Sequence, residues 1–284
     1  MCNTVSPPPP VGVPVRALTA LAAIAAALVG ALFVAPSGLA ASAPGSGHFD
    51  GEHIAGAFRE AFVGYWSFGA GDFSPDLESV VDYWFRFHAV KAVIAAILLA
   101  VVVALGNLLW KSYLQASGLG AVRRVALATG GVLASILALF SLLVVTANVQ
   151  GAAAPFSSLF PMLPVGEDKG DLGDSLGQVR QQLAAGSHTS PALDAMINDF
   201  SRYHAAMAVI SVIVAATLIG TSVLLWRRFA RTGLSDRSTR RVLGSFGVLS
   251  ALLSLAAVVV AVANTTTAAN PVPALSTFFG GGLL

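Results

Sequence analysis

Charge and cysteine are what this sequence has least of. Asp, Glu, Lys and Arg make up 11% of its 284 residues while hydrophobic residues make up 56%, and the mean hydropathy is +0.77. So little charge excludes an ordinary soluble domain and makes a lipid bilayer the natural solvent. The one cysteine, Cys2, has no partner, which rules out a disulfide within the chain and leaves stability to helix packing. No phosphate-cradling Gly-x-x-x-x-Gly-Lys string, nucleophile elbow or Cys-x-x-Cys-His haem attachment occurs. These absences lean away from an enzyme, and the patterns call for no cofactor.

What is there comes in long apolar runs. Five stretches, Ala17 to Ala35, Ala89 to Trp110, Val125 to Ala147, Ala205 to Trp226 and Val242 to Ala263, carry no charge except Lys91. Each has the roughly 20 residues that cross about 30 Å of hydrocarbon as a helix. The first is also compatible with a secretory signal, since Arg16 precedes it and Ala40-Ala41-Ser42-Ala43 follows it. Its length and Pro44, directly after the cleavage-like string, favour a retained anchor.

The second half of the chain repeats the first at an offset of 116 residues. Ser74-Pro75 returns as Ser190-Pro191, Arg86 and His88 as Arg202 and His204, Trp110 as Trp226, Asn148 as Asn264, and Pro155 as Pro271. This pattern reads as a tandem duplication of a two-span unit. It predicts an all-α integral membrane protein with five transmembrane helices, in which a pseudo-twofold four-helix bundle is joined by an N-terminal anchor or signal helix. The expected organisation is residues 1–43 for the cytoplasmic arm and anchor, 44–161 for the first repeat and 162–284 for the second. Two spans per copy give both copies the same orientation, as in parallel repeats.

Charge sets that orientation. Lys111, Arg123 and Arg124 follow the second span, and Arg227, Arg228, Arg231, Arg237, Arg240 and Arg241 follow the fourth. All the carboxylates except Asp236 fall on the other side, in 36–88 and 149–203. The positive-inside rule then puts the N-terminus in the cytoplasm and the C-terminus outside. The basic residues are accounted for as topology signals, so no nucleic acid is implied. An arginine-rich, alanine-rich and glycine-rich composition suits a bacterial plasma membrane protein.

Each Ser-Pro pair is placed to open a helix, serine as the N-cap and proline at the first helical position. No breaker follows until Trp110 or Trp226, so each helix is expected to be a rod of about 36 residues, roughly 54 Å long, with its first third outside the cell. Ala92, Ala96, Ala100 and Ala104 recur every four positions, with Ala208, Val212, Ala216 and Gly220 at the matching places. Small residues permit close approach in lipid, so these ridges are the expected crossing of the two helices.

The candidate ligands are few. His88 and His204 are the only histidines that repeat, and a crossing near the outer end would bring them together, with Glu78, Asp82, Asp194 or Asn198 above, as a metal or redox site or a proton-sensitive latch. Against that stands the ordinary use of Arg, His and aromatics at a membrane interface. Asp82 and Arg86 are spaced to pair on one helix, as are Asp199 and Arg202. Lys91 is a candidate because it is ionisable inside a span, although its stem can snorkel outward and its counterpart is Met207.

His48-Phe49-Asp50-Gly51-Glu52-His53 holds four ligand types but reads as a linker. Ile54 to Phe68 reads as an amphipathic helix lying on the membrane or on the bundle. Asn148 and Asn264 fit helix ends, and Phe278-Phe279-Gly280-Gly281-Gly282 fits a flexible tail.

The leading functional expectation is a non-enzymatic accessory, scaffold or envelope-assembly subunit acting through its outer helices on a membrane or envelope protein, or on itself. A small permease or channel is the alternative, weakened by the lack of a carboxylate within the spans to couple transport. A metal or redox protein using His88 and His204 is the second alternative.

Overall fold

The computed structural model describes residues 15–42, 53–115, 120–166, 169–186 and 190–281. Its helices are α1 (Val15–Ala41), α2 (Ile54–Phe68), α3 (Pro75–Gln115), α4 (Ala121–Ala153), α5 (Pro155–Leu159), α6 (Gly170–Ala185), α7 (Pro191–Arg231), α8 (Arg237–Ala269) and α9 (Pro271–Phe279), with a 3₁₀ turn at Phe160–Met162. No strand occurs among the described residues. Five helices, α1, α3, α4, α7 and α8, are long and apolar enough to cross a membrane. This is an all-α, multi-pass membrane protein.

The 116-residue offset holds for the elements as well as for single residues. Helices α3 and α7 have 41 residues each and α4 and α8 have 33 each, and the starts of α2, α3, α4 and α5 are matched 116 positions later by α6, α7, α8 and α9. The Ser-Pro pairs act as their chemistry dictates. Leu77 N–H donates to Ser74 Oγ at 3.4 Å and Leu193 N–H to Ser190 Oγ at 3.3 Å. Each bond satisfies an amide that the first turn leaves without a partner.

The chain divides into two compact units. One comprises Met1–Ala31 and Ile94–Leu143, the other Leu32–Val93 and Val144–Leu284. In the first, α3 meets α4 through large and small residues fitted together. Leu98 and Val102 are fully buried, Gly106 lies against Ala134, and the Trp110 indole lies on Gly131, where an added Cβ would come within 2.8 Å of the ring. An apolar crevice of about 690 Å³ is lined by Leu18, Ala22 and Val29 of α1 and by Val102, Leu105 and Leu137 of α3 and α4.

In the second unit α7 and α8 pack along small residues, Ala208, Ser211, Ala215 and Ser222 on one helix and Gly247, Ser250, Ser254 and Ala261 on the other. Ser222 Oγ donates to Gly247 O at 3.0 Å across the pair. Beyond the apolar spans this unit builds a core of large side chains. Phe58, Phe62 and Tyr65 of α2, Leu77 and Tyr83 of α3, Phe156 of α5, Leu176 and Val179 of α6, Leu193 and Met196 of α7, and Leu275 and Phe279 of α9 are almost wholly buried there. The aromatic rings meet mostly edge to face, Phe73 on Phe156 at 4.9 Å and Phe156 on Phe160 at 5.1 Å.

Two expectations need correction. The alanine ridge is not the packed face: Ala92 and Ala208 are buried, but Ala96, Ala100, Ala104, Ala216 and Gly220 are exposed. A four-residue step turns about 40° around a helix with 3.6 residues per turn, so the ridge winds off a face that instead runs through Ala95, Leu98 and Val102. The supposed tail is helix α9 up to Phe279, because Leu275 and Phe279 have the outer core to enter. Of the two places expected for helix α2, it takes the one on protein, with Phe58, Phe62 and Tyr65 in that core.

Candidate functional site

Four polar residues recur inside otherwise apolar helix pairs, and they meet two by two. His88 of α3 donates from Nδ1 to Asn148 Oδ1 of α4 at 2.9 Å, and His204 of α7 does the same to Asn264 Oδ1 of α8 at 2.8 Å, each across 60 residues of chain. The direction follows from the asparagines. Asn148 Nδ2 is spent on Val144 O at 2.7 Å and Asn264 Nδ2 on Val260 O at 2.9 Å, so the amide oxygen is what faces each ring. An oxygen only accepts, which fixes Nδ1–H as the donor and the tautomer with it.

That tautomer leaves Nε2 as a bare lone pair, and in both rings Nε2 is buried without a partner. A lone pair among apolar neighbours costs less than an N–H with no acceptor, so the surroundings agree with the assignment. The walls are aromatic. Trp84 and Phe87 stand 4.7 and 5.7 Å from the His88 ring, and Phe200 and Tyr203 stand 4.6 and 5.5 Å from that of His204. Trp84 is itself fixed, its indole N–H donating to Ser158 Oγ at 2.8 Å. Over His88 the backbone of Gly151 closes the site, since a Cβ there would lie 2.7 Å from Nε2.

Chemically, each site is a clasp. It ties the two helices of a hairpin together, near the ends that carry the aromatic core, with one buried hydrogen bond. The expectation that His88 and His204 form one site does not match this arrangement, because each ring is taken up by the asparagine of its own helix pair. Among the described residues no group of three or more His, Cys, Asp or Glu side chains is placed to hold a metal.

The remaining candidates have ordinary partners. Asp82 and Arg86 form the expected ion pair, 3.4 Å apart on an exposed face. Lys91 Nζ lies 5.2 Å from the centre of the Phe87 ring, the reach of a snorkelling amine. Asp199 accepts from the backbone N–H of Ser157 on α5 at 2.7 Å, and Arg202 is exposed. Trp110 and Trp226 cover Gly131 and Gly247. Cys2, His48, His188 and most of the 48–53 string lie outside the described residues, and His53 is exposed.

Asn148 and Asn264 do not end their helices. Both sit five residues before the last residue, facing a histidine on the neighbouring helix. Sequence reading had all four names and missed the pairing, although a shared 60-residue spacing between two recurring polar residues was the signal for it. It also missed Gly131 and Gly247, which recur at the same offset, and Gly151 and Gln150, which do not.

Further bonds hold the outer core to these clasps. Tyr65 OH donates to Ala192 O at 2.8 Å, Trp66 Nε1 to Gln178 Oε1 at 3.0 Å, and buried Gln150 donates through Nε2 to Tyr203 O at 3.2 Å. Burial above all, and then the Asp199 charge, push the Tyr65 hydroxyl well above the usual tyrosine range. It therefore stays a donor throughout the physiological range.

No family model, curated protein or solved structure matches this chain. Its function has to be read from its own geometry.

Proposed function

We propose that the protein is a non-enzymatic accessory or assembly subunit of a bacterial plasma membrane, built from two copies of a two-span unit and acting on an envelope protein through its outer-face helices. The observation that carries this reading is where the chain places its large side chains. The α7–α8 spans pack mainly through alanine, glycine and serine and the α3–α4 spans through a mix of small and aliphatic residues, while the aromatic core lies beyond them, in α2, α5, α6, α9 and the starts of α3 and α7. A core of that kind gives a membrane protein a rigid surface of its own outside the bilayer.

Orientation is part of the proposal. Basic residues gather where α3 leads to α4 and α7 to α8, and acidic residues at the opposite ends, which supports a core outside the cell, a cytoplasmic N-terminus and an external C-terminus.

Site-specific photocrosslinking in intact cells tests it. A crosslinker at exposed Glu78 or Asn198 should give one adduct of constant mass, and at exposed Arg228 none of that mass. Solute flux through proteoliposomes holding this protein alone, with no adduct from either outer position, would overturn the reading in favour of a permease.

A further inference from the structure

The outer face carries a groove of about 780 Å³ between α2 and the start of α3. One wall follows Ala57, Glu60, Ala61, Gly64 and Phe68, three turns of α2 and about 16 Å long at 1.5 Å per residue. The other wall is the corner of Asp72, Phe73 and Asp76. The floor is apolar and shallow, for an added Cβ at Gly64 would meet nothing within 4 Å.

Two features describe the occupant. The rim carries three carboxylates, Glu60, Asp72 and Asp76, no Lys or Arg lines the groove, and the nearest basic residue in sequence, Arg59, is engaged with Met162 O at 2.8 Å. Phe68, at its mouth, is 80% exposed, unusual for a large aromatic ring. Pro75 begins α3 thirteen residues before His88, about 20 Å further out along that helix, so an exposed ring here is not accounted for by lipid. An apolar floor with aromatic and acidic edges complements a helix that is apolar on one face and basic at its margins.

We infer that this groove is the docking site for a basic amphipathic helix of a partner protein. The inference rests on the proposed assembly role and names the chemistry of the partner.

The test uses the full chain in zwitterionic nanodiscs and a labelled Leu/Lys amphipathic peptide of about 14 residues, roughly 21 Å as a helix. Anisotropy should show saturable binding above that of empty nanodiscs, weakening as salt rises. A Leu/Glu peptide of equal length should not bind. The triple variant Glu60→Gln, Asp72→Asn, Asp76→Asn should weaken binding at least tenfold, and so should Gly64→Trp, which fills the groove and leaves the charges in place.

Equal binding by the wild type and both variants, or by empty nanodiscs, would overturn the proposal. So would spermine binding as tightly as the peptide, which would make the groove a small-polyamine site, or a doubling of particle mass lost in Gly64→Trp, which would make the occupant a second copy. If Gly64→Trp leaves the Glu78 and Asn198 adducts intact, the groove assignment fails while the assembly reading stands.

Discussion

His88 and His204 stand at matching places in the two halves of the chain and are held by matching asparagines, yet their surroundings differ. In the first half Asn148 is buried and Gly151 closes over the imidazole; in the second Asn264 is half-buried and Thr267 stands where Gly151 would be, its hydroxyl donating to Ala263 O at 3.1 Å. The hydrogen bond is common to both sites and the packing around it is not. A donor buried beside an apolar wall tolerates no loss of its acceptor, whereas the wall can be rebuilt from several side chains of similar shape.

The same contrast runs along the helix pairs. Leu98 and Val102 are fully buried in the α3–α4 seam while their counterparts Val214 and Leu218 are half-buried in α7–α8, but in both halves a tryptophan covers a glycine, Trp110 on Gly131 and Trp226 on Gly247. At the turn between the two helices of each pair the halves differ again. Asp236 caps α8 by accepting from Thr239 N–H at 3.1 Å, and Gly120 holds the matching position before α4.

These differences can be probed in order of expected size. Gly151→Ala puts a methyl group against Nε2 of His88 and should cost about 1–3 kcal/mol in reversible unfolding in detergent, as overpacking does. Thr267→Ala, its counterpart, should stay within about 0.5 kcal/mol. Equal losses at the two positions would show that the closures are alike after all.

Next come the acceptors. Asn148→Leu should strand a buried N–H at a cost of about 1–3 kcal/mol, and Asn264→Leu somewhat less because its site is more open. A double-mutant cycle with His88→Phe should return a coupling of about 0.6–1.7 kcal/mol, the range for hydrogen bonds between membrane helices. A coupling of zero would mean that the pair is contact without bond.

Gly131→Ala should destabilise more than Gly247→Ala, because the added Cβ meets the indole at 2.8 Å in one case and 3.2 Å in the other. Shifts in midpoint temperature would rank them. The reverse order would indicate that the first indole moves aside more easily than the second.

The smallest effect belongs to Asp236. Its hydrogen bonds with Thr239 hold its carboxyl below the usual range, so the cap is fully formed above the ordinary Asp value near 3.8 and is lost as pH falls through the lower folded value. Hydrogen exchange in the first turn of α8 should quicken on acidification in the wild type. In Asp236→Ala it should be fast throughout, and α4 should show no matching change.

How much of this was legible in the sequence depended on whether a feature is periodic. The five spans, the Ser-Pro caps and the offset of 116 are local or repeated patterns, and α3 and α7 start where they indicate, although α3 and α7 run five residues past Trp110 and Trp226 and α4 and α8 six past Ala147 and Ala263. The four polar residues of the clasps were legible as names, but their pairing depends on which helix faces lie together, and the alanine spacing pointed to the wrong face. Phe278 and Phe279 looked like part of a tail because nothing local shows that a core exists beyond the spans to bury them. Gly151 has no counterpart in the second half, so repetition could not single it out.

The most direct test of the account is ¹⁵N NMR of the imidazoles in the full chain, with Asn148→Leu and Asn264→Leu as paired controls. His88 and His204 should both carry their proton on Nδ1 and leave Nε2 bare, and each control should release one ring while leaving the other unchanged. Protons on Nε2 in either ring, or spectra indifferent to the loss of both asparagines, would contradict it.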